Sequence, residues 1–255
     1  MREGMFLSRA PYRVSFLGGG TDYASWYGRH GGAVLSSAID RYCYVTLRQL
    51  PPFFGHHSRV VYSRIEEVKR NSDIAHPLVR SCLQHLGVEE GLEIHHDGDM
   101  PGRSGVGSSS AFAVALLLAL KAYRRTGLGR DKLAREAIHV EQVLCGEHGG
   151  IQDQITSAHG GFNLIEISRT GEFEILPLPL SFSYRRAFED HFLLGFTGIQ
   201  RNGSPIAGAT IRAIEHGPAR RALGETMELT RAAHGVLRSE GNLRDFGELL
   251  HRGWL

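Results

Sequence analysis

Between residues 9 and 17 apolar and polar side chains alternate, with Tyr12, Val14 and Phe16 on one side and Arg13 and Ser15 on the other. That is the period of a strand. It runs directly into Gly18-Gly-Gly-Thr-Asp22, a glycine-rich loop. Residues 33–47 are β-rich with Cys43, Val45 and Leu47 sharing a face, and residues 60–63 and 92–95 are shorter strand candidates. Residues 74–86 predict a helix between those two. Residues 108–125 are apolar all round (AFAVALLLALKAY), the pattern of a helix buried at the centre of a domain. Residues 131–145 predict another, with Leu133, Ala134, Ala137, Ile138 and Val140 inward and Gly149-Gly150 as its stop. Residues 162–167 and 173–178 read as a hairpin turning at Arg169-Thr-Gly171. Pro177-Leu-Pro179 is the best linker, dividing the chain into residues 1–180 and 181–255. Beyond it the pattern predicts a strand over 192–196, a loop over 197–205, and then almost only helix. The order is β-rich, mixed, then helical: an α+β protein with two lobes.

Composition narrows the class. The chain has 255 residues, 42% hydrophobic and 22% charged, the balance of a soluble globular protein with a real core. A formal net charge of +2 is too small to make nucleic acid or an anionic membrane the partner, so attraction for an anionic substrate must be local. Residues 111–122 are the longest apolar run, short of the roughly 20 residues a membrane span needs, and no secretory signal is apparent at the start. Cys43, Cys82 and Cys145 are widely spaced and form no metal-ligand pattern, which points to a reducing, cytoplasmic setting. The pairs His56-His57 and His95-His96 make poor two-ligand metal sites, because neighbours on a strand face opposite ways.

Three segments carry chemistry. Pro101-Gly-Arg-Ser-Gly-Val-Gly-Ser-Ser-Ser-Ala111 lies between a strand and the buried helix. Its glycines permit a tight turn, and the amides opening the helix, with the positive end of the dipole, form an anion site suited to phosphate. Ser108 and Ser109 add hydroxyls for a metal or a phosphate oxygen. No Gly-Lys-Ser/Thr follows, so this is not a Walker A loop; a glycine–serine turn with an ordinary cap is the plainer alternative. The second segment is Gly149-Gly-Ile-Gln-Asp-Gln154, with Glu141 twelve positions before Asp153. Phosphoryl transfer uses carboxylates to hold magnesium and to accept a hydroxyl proton, although a solvated Glu141 and a capping Asp153 would read the same in isolation. The third, Arg9-Ala-Pro-Tyr-Arg-Val-Ser-Phe-Leu-Gly-Gly-Gly-Thr-Asp-Tyr23, offers a carboxylate and close backbone for sugar hydroxyls, or else a simple turn.

In this order the three segments resemble the GHMP kinases, and RAPYRVSFLGGGTDY resembles the opening of the heptose 7-phosphate kinase branch rather than the G-E-H-T-D-Y of galactokinases. The stretches over 31–45, 152–165 and 196–201 fit the same branch. The resemblance implies an N-terminal α+β domain with a left-handed βαβ crossover and a C-terminal ferredoxin-like domain. It implies ATP and Mg2+ as cofactor and metal, and a sugar phosphate as the small-molecule partner. Gly105, Val106, Gly107, Ser108, Ser109 and Ser110 would hold the ATP phosphates, and Ser109 (or Ser108) and Glu141 the metal. Asp153 would be the base or the carboxylate that orients the hydroxyl, with Arg13 near it. Gly19, Gly20, Thr21 and Asp22 would bind the sugar. The implied reaction is phosphorylation of the anomeric hydroxyl of D-glycero-D-manno-heptose 7-phosphate, giving a 1,7-bisphosphate. A second anion site is then required; charge and position nominate Arg201, with Arg103 and Arg41 behind it.

The sequence reaches Leu255 inside an apparent amphipathic helix carrying Phe246, Leu249, Leu250 and Trp254, with no capping signal before the end. The third glycine-rich motif of GHMP kinases has no match. The expectation is an incomplete C-terminal domain, exposed apolar surface, weakened activity and a homodimer as compensating assembly. A fucose- or galactose-type 1-kinase and a non-catalytic sugar- and nucleotide-binding relative are the competing readings.

Overall fold

The computed structural model describes residues 4–127, 129–195, 198, 203–215, 217 and 219–255. The chain falls into two compact units that interleave in sequence. The first comprises Met1–Tyr12, Ile39–Glu147 and Asp153–His159, and the second Arg13–Ala38, His148–Gln152 and Gly160–Leu255. Two long strands, β1 (Met5–Leu17) and β2 (Gly32–Gln49), pair with each other and contribute residues to both.

In the first unit the strand order is β4 (Ile65–Val68), β3 (Ser58–Val61), β5 (Leu92–Gly98), β2. Here β3 and β5 run parallel and the other neighbours antiparallel, a mixed sheet. Cys43, Val45 and Leu47 of β2 are buried on one face, as their alternation predicts. Against them pack α2 (Pro77–His85), through Leu78, Val79, Cys82 and Leu83, and α3 (Ser108–Arg124). The helix expected from residue 74 begins at Pro77, whose fixed φ and missing N–H suit a first helical position. α3 is buried all round because it runs through the centre of this unit, as its unbroken apolar sequence requires. Lys121, its one deeply buried charge, reaches both carboxylate oxygens of Glu136 at 3.0 and 2.9 Å on α4 (Arg130–Ile138). A desolvated ammonium demands such a partner. α4 passes into a six-residue π-helical stretch, His139–Leu144, and the chain turns at Gly146, φ +68°. The stop thus comes before Gly149-Gly150, because the wider π turn has already ended the helix. A short α5 (Gln152–His159) follows, its first residue belonging to the second unit. His95 contacts Glu93 while His96 stacks on Phe112, so the paired histidines do face opposite ways.

In the second unit the early residues of β2 pair antiparallel with β6 (Phe162–Ile167), and β6 with β7 (Phe173–Pro177), which is the expected hairpin. The helices are α1 (Ala24–His30), α6 (Phe182–Asp190), α7 (Gly203–Glu215), α8 (Arg220–Arg238) and α9 (Leu243–Trp254). Phe16, Phe162, Phe188, Phe192 and Phe246 form one aromatic cluster, with Phe188 and Phe192 centroids 4.5 Å apart. The strand expected over 192–196 is not found: residues 192–195 form no strand, and residue 196 lies outside the described residues. The regular element here is α6, capped by the Ser181 hydroxyl accepting from the Tyr184 N–H at 3.3 Å. A short apolar run does not by itself distinguish a strand from the tail of a helix, and here Phe192 joins the aromatic cluster while Leu193 and Leu194 stay exposed. Among the described residues no helix is long and apolar enough to cross a membrane.

Candidate functional site

The glycine–serine loop enters α3 as the sequence suggests. Gly105 and Gly107 have φ of +83° and +74°, left-handed values that glycine adopts without steric cost. Gly107 is the residue before the first helical turn and supplies no side-chain cap to it. The opening amides of a 17-residue helix are therefore not taken by a capping side chain, the condition under which a helix N-terminus binds an anion. Val106 is buried and anchors the loop. The Ser108 hydroxyl accepts from the Arg103 N–H at 3.1 Å, so it is spent on the loop, whereas Ser109 reaches outward.

The Ser109 hydroxyl donates to Glu141 Oε1 at 2.6 Å, across 32 residues of sequence. Glu141 lies in the π-helical stretch, where the Cys145 N–H bonds the Val140 carbonyl five residues back at 2.9 Å. Such π turns recur at functional sites because they re-aim one side chain out of helical phase. Glu141 is 5% exposed, and its other oxygen, Oε2, accepts from the Gln154 side-chain amide at 2.7 Å. Burial pushes its carboxyl above the usual range, hydrogen bonds from Ser109, Ser110 and Gln154 pull back, and the negative charge of Asp153 adds to the rise. Asp153 occupies the first turn of α5. A hydroxyl and a desolvated carboxylate whose charge calls for a cation are hard oxygen donors of the kind magnesium uses when phosphate and water supply the rest. Among the described residues no three His, Cys, Asp or Glu side chains converge.

The second constellation lies in the other unit. Thr21 and Asp22 are fully buried. The Thr21 hydroxyl lies 2.7 Å from the Gly18 carbonyl and 3.0 Å from the Ala33 carbonyl, and accepts from the Ala33 N–H at 3.1 Å. Asp22 Oδ1 accepts from the Gly20 N–H at 3.0 Å and Oδ2 from the Gln152 N–H at 3.1 Å, while its main-chain carbonyl accepts from the Ile151 N–H at 3.2 Å. Glycine is obligatory at two points around it. A Cβ on Gly18 would sit 2.0 Å from the Ala33 carbonyl oxygen, and one on Gly150 1.8 Å from Asp22 Oδ2. Gly19 is exposed, and Gly20 lies beside Leu223.

Of the residues singled out by sequence, the structure brings Ser109 to Glu141 directly, with the charge of Asp153 felt at that carboxylate, all in the first unit. Gly20, Thr21 and Asp22 form one loop in the second, where the half-buried Arg13 lies on β1. Arg201 lies outside the described residues. Gln154 was missed as a participant; its only sequence signal is its place directly after Asp153.

Residues 73–161, which span the buried helix, the serine loop, Glu141 and Asp153, match the GHMP kinases N terminal domain. The chain is 27% identical over 208 residues to the D-glycero-alpha-D-manno-heptose 7-phosphate kinase of Campylobacter jejuni, covering 78% of this chain and 61% of that one. It is 30% identical over 227 residues to the galactokinase of Thermococcus kodakarensis, covering 85% and 60%. The chain thus spans about three fifths of the length of each. Its fold matches the crystal structure of a D-glycero-D-manno-heptose 1-phosphate kinase from Bacteriodes thetaiotaomicron with a TM-score of 0.83 at 22% identity, over 98% of this chain and 78% of that one. Sequence match and fold agree on the same conclusion: this chain carries a GHMP kinase N-terminal domain.

Proposed function

We propose that this chain belongs to an ATP-dependent sugar kinase that phosphorylates the anomeric hydroxyl of a sugar phosphate. The substrate in this reading is D-glycero-D-manno-heptose 7-phosphate and the product the 1,7-bisphosphate. The observation that carries it is the Ser109–Glu141 contact of 2.6 Å at the head of α3, directly after the glycine loop. A buried carboxylate held against a serine at an anion-binding helix start suits a nucleotide triphosphate better than it suits a structural turn.

In this reading the opening amides of α3 hold the phosphates of ATP, and Ser109 and Glu141 hold Mg2+. The bound metal supplies charge neutralisation on the β- and γ-phosphates. Asp153 takes the proton of the anomeric hydroxyl as its oxygen bonds to the γ-phosphorus, while the bond from that phosphorus to the bridging oxygen breaks and ADP leaves. Arg13 balances charge on the transferred group. The loop from Gly19 to Asp22 faces the sugar, and Arg201 takes the 7-phosphate. In this reading residues 1–180 are the N-terminal, ATP-binding domain and residues 181–255 belong to the C-terminal domain. The heptose kinase relative supports the phosphorylated acceptor. The galactokinase relative supports a second reading, an unphosphorylated hexose as acceptor.

The test is ADP release with Mg-ATP and the heptose 7-phosphate, with mannose, fucose and galactose as comparators, for the chain and its Asp153→Asn variant. Turnover with the heptose phosphate alone, reduced at least 100-fold in the variant, is expected; general-base groups contribute roughly that much or more. Turnover with galactose alone would establish the second reading. Turnover that survives D153N unchanged would remove Asp153 from the reaction.

A further inference from the structure

Gln154 is 4% exposed and its two amide atoms lead different lives. Nε2 donates to Glu141 Oε2 at 2.7 Å, while the carbonyl Oε1 is buried with no hydrogen-bond partner among the described residues. Leaving a buried carbonyl unmatched forfeits its hydrogen bonds to water, a cost that an apolar residue of similar length would avoid. A flipped amide would set Oε1 against the carboxylate, so the orientation is dictated by the ionised form of Glu141. The opposite oxygen of that carboxylate accepts from the Ser109 hydroxyl. That hydroxyl has two lone pairs of its own and can turn its proton elsewhere.

We infer that Gln154 is a positioning residue for the metal carboxylate, which deepens and rests on the kinase reading above. Its N–H fixes one oxygen of Glu141 and leaves the oxygen beside Ser109 for the cation. Its open Oε1 would accept a hydrogen bond from a water held by that cation. Outer partners of this kind orient ligands, and their loss lowers metal affinity by about 10- to 100-fold. Gln154 touches neither nucleotide nor sugar in this scheme, so its loss acts on metal retention and leaves sugar binding alone.

The experiment counts free Mn2+ by electron paramagnetic resonance in the presence of the protein and a non-hydrolysable ATP analogue, without turnover. Gln154→Met, which keeps length and removes both polar atoms, should weaken Mn2+ retention at least tenfold. Its KM for sugar should stay unchanged and its kcat should recover as Mg2+ is raised. If Q154M folds poorly, Q154A gives the same reading on the folded fraction, since it removes the amide without adding bulk. Undiminished Mn2+ affinity in the folded variant, or a raised sugar KM, overturns the role of Gln154 and leaves the kinase reading standing. Failure of the unaltered chain to retain Mn2+ with the nucleotide overturns the kinase reading, and this inference with it.

Discussion

Replacing Gly150 with alanine puts the packing around Asp22 to a direct test. The added Cβ would lie 1.8 Å from Asp22 Oδ2 and 2.3 Å from Cγ, against an ordinary contact of at least 3.4 Å, so the carboxylate or the loop must move by about 1.6 Å. The hydrogen bonds from Gly20 and Gln152 are 3.0 and 3.1 Å long and do not survive a displacement of that size together. Hydrogen bonds to a charged group are worth about 1.5–3 kcal/mol each, and overpacking costs about 1–3 kcal/mol. With partial relaxation, G150A should lose about 3–5 kcal/mol, lowering Tm by roughly 10 °C in a chain of this size. Urea unfolding followed by fluorescence reads it, since Trp26 is buried in the same unit. Gly149→Ala is the control, with nothing within 4 Å of its added Cβ, and should stay within about 1 kcal/mol of the parent. Removing the carboxylate makes room, so D22A/G150A should cost less than the two single variants summed, by about 1–3 kcal/mol. A G150A protein as stable as G149A would refute the reasoning, and strict additivity in the double variant would show that the two residues do not share the strain.

Two further expectations concern buried charge. Because burial raises the Glu141 carboxyl in the fold, its ionised form costs stability that is absent at low pH and grows as pH rises through its folded value. Glu141→Gln should therefore have the higher Tm at neutral pH while losing the proposed ADP release, the two Tm values converging in acid; equal Tm values throughout would count against a desolvated carboxylate. At the Lys121–Glu136 pair, Glu136→Ala strands the buried Lys121 ammonium and should cost about 3–5 kcal/mol in urea unfolding, and a loss below about 1 kcal/mol would mean that solvent reaches the pair.

Several features were legible because they are local. An apolar run with no polar stripe, such as that of α3, has only the centre of a unit to occupy, and the alternation in β2 gave the buried face containing Cys43, Val45 and Leu47. The loop glycines, too, announced a turn. The Ser109–Glu141 contact joins residues 32 apart, and no periodicity predicts it; only the resemblance to a family placed them together. The π turn that aims Glu141 has no composition signal, and Gln154 is ordinary until its burial is known. Gly150 is glycine because of a carboxylate 128 residues earlier, a steric reason invisible along the chain. The strand expected over 192–196 fails over residues 192–195 for a related reason, since Phe192 answers to Phe16 and Phe188 while Leu193 and Leu194 stay exposed.

The interleaving of the two units bears on how the chain acquires its structure. The backbone passes from one unit to the other after Tyr12, Ala38, Glu147, Gln152 and His159. During synthesis the first unit is complete only once His159 has emerged. The second must hold residues 13–38 unsatisfied until the stretch from residue 160 onward arrives to pair with β2. Such long-range closures slow folding and expose apolar intermediates. Neither unit can be excised as one continuous fragment, since each is assembled from three separate stretches of the chain.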